Sequence, residues 1–573
     1  MTESSVLNGP DGAVRAACGP RLRARSWRAE GLLRMFENVI EIGERPSELV
    51  VYAAFGKAAR SWSDARRIAA ALTSLEEGQT LILQSGRPVG VIETGPSAPL
   101  VLSAVNNTVG EWASAERFYE REAAGQTIWG GLTAAAWQYI GRQGVLQGTY
   151  EVFTAVLSRH FDGAALGPAP WVLTAGLGGM GSSQPTAATM AGLSSLTVEV
   201  DPAKTARLAA LGVLDLVTDQ LDQAITAVQD AQRDGRTAAV GLNANAADVY
   251  PALVRRGVIP PIVTDQTAAH DARYGYVPAG YSLEAWRGAR AADPRGVERA
   301  ARESMACEVE AMATMQESGA VVFENGNNLR QQAIAHAGAG AADRFNRIEG
   351  FMEAYLRPLF AEGIGPFRWV ALSGSERDLA ILDDLAASLF PRRPEVARWI
   401  GLARAHVVPQ GLPARSCWLG HGERSAMARA VNELVAAGEL SAPVLFSRDH
   451  LDSAGMTNPQ IGTEGMADGS DGVADWPLLD AMALAATGAD LVAVHSGGGG
   501  YSGWMQSAGV SITADGRADT ALRLTRALDC DTAIGVLRHA EAGYEQAIAC
   551  ARGLARTGAP PLNWTNDPCE EQP

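Results

Sequence analysis

One stretch constrains this chain more than any other. Residues Trp171 to Glu199 run from an apolar segment, Trp171-Val172-Leu173, into Gly176-Leu177-Gly178-Gly179-Met180-Gly181, then a helix-compatible Ala/Thr/Met segment, then a second apolar run that ends at Glu199. A G-x-G-x-x-G between strand and helix, with an acid about 20 residues on, has a specific physical meaning. The first glycine permits a tight turn, the second lets backbone N–H groups approach a pyrophosphate, the third lets helix and strand pack closely, and the acid accepts from a ribose hydroxyl. The pyrophosphate would rest on the helix N-terminus, where free N–H groups and the macrodipole favour an anion. In a chain with 62 glycines the turn could simply reverse direction; the strand, helix and acid around it favour a nucleotide. Gln184-Pro185 is expected to interrupt the helix near its start, since proline is tolerated only in the first turn.

The flanking sequence keeps the same rhythm. Helices are expected at Pro202–Leu211, Leu221–Asp234 and Ala247–Arg256, between strands at Leu214–Val217, Thr237–Leu242 and Ile262–Thr264, and a long helix spans Pro294 to Ser318. Such alternation predicts a parallel, doubly wound sheet. Ligands bind outside the carboxyl ends of its strands, where Asn243–Ala246 and Thr264–Asp271 place polar side chains. Upstream, an apolar strand from Val50 turns towards a helix, followed by a helix over Ser61–Leu75, strands at Thr80–Gln84 and Val89–Glu93, and helices at Thr108–Tyr119, Thr133–Tyr139 and Tyr150–His160. Residues 1 to 40 read as a polar, arginine-bearing lead-in, partly ordered at best, and the tail from Pro560 as loosely attached. Three segments result: 1–145 and 350–573 as halves of a core, with 146–349 as a nucleotide domain between them.

At 573 residues the chain exceeds one ordinary core. A net charge of −16 argues against nucleic acid as the main partner, because phosphate binding needs a basic face. The six cysteines are scattered without a C-x-x-C pair, so neither a disulfide framework nor a metal site is expected. No apolar signal core and no run of 18 apolar residues occur, which points to a cytoplasmic protein with no membrane partner.

From about residue 40 to residue 555 the chain resembles urocanase, the urocanate hydratase of histidine breakdown. The likeness rests on YIGRQGVLQGTYEVF (Tyr139–Phe153), the glycine stretch above, VTDQTAAHD, GNNLRQ, GPFRWVALSG (Gly365–Gly374), CWLGHGER, SRDHLDS, EGMADGSDGVADWPLL and RHAEAGYEQAI. It implies an α/β, urocanase-like fold with a Rossmann-type domain inserted in an α/β core, and a homodimer. It also implies tightly held NAD+ used as an electrophile towards the imidazole of a small imidazole acrylate, so that water adds and no hydride leaves. The NAD+ contacts it implies are Ala53, Ala54, Gly179, Met180, Gly181, Glu199, Lys204, Asn245 and Ala246, then Gln266, Thr267, Ala268, Ala269 and His270, then Tyr276, Val277 and Gly499. Cys417 matches the cysteine the family marks as its active-site residue. Arg368 fits a substrate-facing cation and Asp449, beside His450, a proton donor; a buried small residue, a structural salt bridge and a turn pair are the plain alternatives.

Departures from the family pattern bear on the substrate. Ala53-Ala54 stand where the family has paired glycines, Lys204 where it has arginine, Asn325 where it has tyrosine, Gly131 where it has glutamine, and Ser496 where it has a second histidine. Ile461 stands where an arginine would grip the urocanate carboxylate in a forked pair. Arg142 is the candidate replacement, and Thr133 belongs to the same substrate-facing set. Smaller side chains at Gly131, Ser496 and Asn325 suggest a bulkier substrate, which points to the relatives that hydrate sulfur-substituted urocanates, S-methyl thiourocanate of ergothioneine breakdown above all. Urocanate itself, and an ordinary NAD-dependent dehydrogenase, are the alternatives.

Overall fold

The computed structural model of the protein describes Leu7, residues 12–161 and residues 170–566. Two compact units divide the chain: Val145–Leu356 forms one, and the segments on either side together form the other. The fold is α/β, with a Rossmann-type unit inserted between the two segments of an α/β core.

The inserted unit is built on seven parallel strands. In spatial order they are Glu349–Gly350, Val321–Glu324, Ile262–Val263, Trp171–Ala175, Ser194–Glu199, Ala239–Asn243 and Leu216–Thr218. From Trp171–Ala175 the chain winds outward on one side, then returns to place Ile262–Val263 against the other edge of that first strand, Leu173 opposite Val263. The order of strands therefore reverses between these two, which is where a doubly wound sheet opens a crevice. Leu173, Leu196, Val240 and Val263 pack with Val228, Leu253 and Met312 from the crossing helices.

The core unit carries a nine-stranded mixed sheet. From one edge its strands run Ala414–Leu419, Gly365–Ala371, Val444–Arg448, Gln506–Ala514 and Leu491–His495, each antiparallel to its neighbour, and Val101–Val105 continues it in parallel. The register sorts their side chains. Arg368 pairs with Ser416 and Ser447, and Ser447 with Ser511, while the next row pairs Cys417 with Phe367 and Phe367 with Arg448. Successive residues of a strand point to opposite faces, so Arg368 and Cys417 lie on different sides of the sheet.

Helix Trp27–Glu41 covers the Arg368 side, and it corrects the expectation of a loose lead-in. Arg28, Glu30, Arg34 and Glu37 are buried. Arg34 pairs with Glu30 at 2.7 Å, Arg23 with Glu37 at 2.8 Å, and Arg28 with Asp490 at 2.6 Å. The charges that make this segment look solvated are consumed by one another and, for Arg28, by Asp490 far along the chain. Residues 1–6 and 8–11 lie outside the described residues.

Other expectations also change. After Val50–Tyr52 the chain does not enter a helix; it pairs back as Gly56–Lys57 and turns helical only at Trp62–Ser74. Thr133–Tyr139 is a chain of turns, with left-handed backbone at Leu132 and Trp137, because the Trp137 indole donates to Ala58 O and Gln138 Nε2 to Val510 O, and these anchors override helical spacing. Thr108–Tyr119 divides into a 3-10 turn at Gly110–Trp112 and a helix, Ala115–Ala123, whose cap is Ser114. Pro185 does not break its helix, which starts at Gln184 and uses the proline in its first turn. The tail is attached as far as it is described, since the Leu562 amide donates to Ala551 O and Trp564 packs on the same cluster.

Candidate active site

In the inserted unit the glycine turn follows the strand Trp171–Ala175 and leads into the helix Gln184–Met190. Gly176 has φ +87°, and a side chain there would run into the Gln266 carbonyl; a side chain at Gly181 would strike Gly176 O. Gly178 has open space around it instead, as a turn that must admit a ligand requires. Glu199 is buried at the end of the next strand, and its carboxylate accepts from the Leu177 amide at 2.6 Å and the Asp201 amide at 2.9 Å. Lys204 Nζ stands 3.4 Å from it. The acid thus pins the glycine turn to the strand, with the Lys204 ammonium within reach of both of its oxygens.

The polar stretches meet at the same ends of the strands. Asn245 caps the helix Ala246–Arg255 through the Ala247 amide and donates from Nδ2 to Val277 O at 2.9 Å. The Gln266 amide donates to Ala175 O, which holds the Gln266–His270 segment beside the glycine turn. Ala268 and Ala269 sit within that segment, and burial lowers the His270 imidazole from its ordinary value. The Tyr276 hydroxyl donates to Glu308. Asn325 follows the strand Val321–Glu324 and is buried, with Met180 exposed nearby in sequence to the turn's Gly179. The glycines, the capped helix and the buried acid fit a dinucleotide.

In the core unit the Arg368 side of the sheet carries a second cluster. Arg368 donates to Gln138 O at 2.7 Å and forms an ion pair with Asp449. Burial draws the guanidinium down to about 10, and the Tyr52 and Tyr139 hydroxyls oppose the shift, so it stays charged at neutral pH. Tyr52 stacks on Tyr139 with ring centroids 4.8 Å apart and receives a hydrogen bond from the Thr133 hydroxyl at 3.0 Å. Burial pushes the Tyr52 phenol up to about 12, which keeps its proton in place.

Two histidines complete the cluster, and their hydrogen bonds fix their tautomers. His495 Nδ1 accepts from the Gly497 amide at 2.8 Å, so its proton is on Nε2, which lies against Gly130 where a side chain would not fit. Ser507 Oγ donates to His495 O and has no second hydrogen, so His450 Nδ1 donates to it at 3.0 Å. His450 Nε2 therefore carries a bare lone pair, buried, over Gly509 and with no protein donor. Burial holds both rings neutral: His495 falls to about 4, and His450, with His495, Arg448 and Arg368 adding to the effect, falls well below the usual imidazole range. The two rings stand 5.6 Å apart, edge to face.

Arg368, Asp449 and Thr133 are thus brought together, and Cys417 is not with them. Its thiol is fully buried on the other face of the sheet, near Arg393, Glu423, Asp383 and Arg415, and burial pushes it far above the ordinary thiol value. Gly131 has a backbone reason to be glycine: φ is +54°, and a Cβ would lie 2.9 Å from Gly56 Cα. Ala53 and Ala54 keep left-handed backbone, φ 54° and 64°, that glycine adopts more cheaply. Ser496 is bonded to Gln506 at 2.8 Å and to Asn107, and Gly499 opens a short 3-10 turn. Arg142 is half-buried, its amide donating to Gln410. Ile461 is buried in a loop whose carbonyls at Gly462 and Glu464 receive the Arg357 guanidinium. Sequence reasoning missed Tyr52, His450 and His495 as site residues; the signal was there, since Tyr52 and His495 end strands and His450 follows one by two residues, each within or beside a stretch already singled out.

A Rossmann-like unit with this turn belongs to the class of proteins that hold a nucleotide cofactor. More specifically, the chain belongs to the urocanase family: residues 14–138 match the urocanase N-terminal domain, residues 141–355 the urocanase Rossmann-like domain, and residues 358–553 the urocanase C-terminal domain. The family consists of hydro-lyases acting on small imidazole acrylates. Among the described residues no helix is long and apolar enough to cross a membrane.

Proposed function

We propose that the protein is a urocanase-family hydratase that uses NAD+ to add water to an imidazole acrylate bearing a sulfur substituent, with S-methyl thiourocanate as its substrate. Bound NAD+ supplies an electrophile for the electron-rich imidazole without passing through a redox cycle. Gly176–Gly181 and the start of the following helix would hold the pyrophosphate, and Glu199 the ribose, where an acid disfavours the 2′-phosphate of NADP+. Asn245, Ala246, Gln266–His270, Tyr276 and Val277 would line the rest.

In the core unit, Arg368 supplies a fixed positive charge and Asp449 orients it. His450 Nε2 takes up a proton, while Tyr52 and His495 Nε2–H remain donors, because burial keeps each in the required protonation state. Burial of the whole cluster excludes bulk water and strengthens each of these interactions.

The observation that carries the substrate assignment is the small size of the substrate-facing residues Gly131 and Ser496, which leaves room for a sulfur substituent; the buried apolar Ile461 removes the forked pair for the carboxylate that urocanate and its sulfur derivatives share. Retention of the Arg368 cluster favours a second substrate, urocanate, bound through a rearranged carboxylate contact. The deciding experiment follows loss of the conjugated ultraviolet band of urocanate, thiourocanate and S-methyl thiourocanate with the purified protein. Turnover of the sulfur compounds alone supports the assignment; efficient turnover of urocanate alone overturns it. Stoichiometric NADH would instead indicate a dehydrogenase.

A further inference from the structure

Within the inserted unit two carboxyl groups are buried side by side. Asp265 follows the strand Ile262–Val263, and Glu308 comes from the long helix Pro294–Glu317. They are 1% and 0% exposed. One oxygen of each is accounted for: Asp265 Oδ1 accepts from the Thr267 amide at 3.1 Å, the Thr267 hydroxyl at 2.7 Å and the Asn327 side chain, and Glu308 Oε2 accepts from the Tyr276 hydroxyl at 2.7 Å. The two remaining oxygens, Asp265 Oδ2 and Glu308 Oε1, have no protein donor, and the two carboxyls are hydrogen-bonding neighbours of each other. Two acceptors can bond only through a hydrogen, and adjacent buried carboxyls cannot both ionise. The three donors on Asp265 favour its charged form, which leaves the proton on Glu308.

We propose that Asp265 and Glu308 share a single proton and act as one positioning unit that sets the Gln266–His270 and Tyr276–Val277 segments against a bound dinucleotide. This role rests on the nucleotide assignment made above. The connections are direct, since Asp265 holds Thr267 and, through Asn327, the turn after the strand Val321–Glu324, while Glu308 holds Tyr276.

The groups facing the pair sharpen the expectation. Tyr250 donates to Thr264 O and, like Tyr276, is pushed well above the ordinary phenol value by burial and by the two acids, so neither hydroxyl ionises first. Glu324 is raised by burial and pairs with Arg330 at 3.2 Å. Burial raises Asp265 to about 6, and burial together with Asp265 raises Glu308 well beyond the carboxylate range. Both folded-state values exceed those of an unfolded chain. The pair's contribution to stability is therefore full below about pH 4 and is lost as the pH rises through the folded values.

Glu308→Gln tests this, because an amide donates to Asp265 Oδ2 and accepts from Tyr276 but does not titrate. For the full chain freed of nucleotide, the Tm of Glu308→Gln minus that of the native protein is expected to grow between about pH 6 and 9. Parallel profiles would overturn the shared proton. Calorimetric titration with NAD+ over the same range is expected to show native affinity falling about tenfold or more, the Gln variant holding within about twofold, and Glu308→Leu binding weakly throughout. Native and Gln affinities that fall together would overturn the positioning role. A native protein that binds no NAD+ at any pH, with the Tm difference intact, would overturn the nucleotide assignment and leave the shared proton standing.

Discussion

The bare lone pair of His450 Nε2 depends on a single hydroxyl hydrogen. Because Ser507 spends its proton on His495 O, the imidazole of His450 must donate through Nδ1, and the opposite nitrogen is left as an acceptor in a site that burial keeps neutral. His450→Gln is expected to lower kcat by about 10²-fold or more with little change in KM, since it removes a base and not a binding contact. The native acid limb of kcat/KM should lie well below the ordinary imidazole range and be missing from the residual activity of the variant. An unchanged acid limb would assign the titration to another group. At the same scale, one step of strand alternation puts the Cys417 thiol on the far face of the sheet from Arg368.

Between elements, buried charge does the joining. Asp490, just before the strand Leu491–His495, receives Arg28 from the helix Trp27–Glu41, Arg523 from the helix Ala518–Glu541 and the Thr513 amide from the neighbouring strand. Burial alone would raise its carboxyl; the two guanidiniums outweigh that and hold it below the ordinary value. A depressed folded value means that this stabilisation is present above about pH 4 and is lost as the pH falls further. Asp490→Asn is expected to destabilise the protein by about 3–5 kcal/mol, because it leaves two arginines buried without their carboxylate. Denaturant unfolding of the native protein and the variant at neutral and acid pH checks both points: the gap between them should narrow on acidification.

For the whole molecule the division into two units carries its own expectation. The segment 145–356 has its own parallel sheet and its own core of Leu173, Leu196, Val240, Val263 and Met312. Expressed alone, it is expected to fold cooperatively and to gain thermal stability with added NAD+, by about 2.7 kcal/mol at a hundredfold excess over Kd. A segment that folds but does not respond to NAD+ would count against the glycine turn as the cofactor cradle.

The sequence by itself determined the elements whose logic is local. The glycine turn, its two strands, its helix and Glu199 are adjacent in the chain, and their spacing already contains their geometry. The βαβ rhythm determined the parallel sheet in the same way, and long motifs determined the family. Tertiary structure decided the rest. Thr133–Tyr139 has helical spacing but becomes turns, because Trp137 and Gln138 find partners at Ala58 and Val510. The helix Trp27–Glu41 looks solvated until Asp490 and the sheet supply its partners. The core cluster gathers Arg368, Asp449, His450 and His495 from strands, and the residues just after them, that become neighbours only once the large sheet is paired, and adds Tyr52 from a separate two-stranded ribbon. Their protonation states come from burial, a property of the fold that no residue carries along the chain.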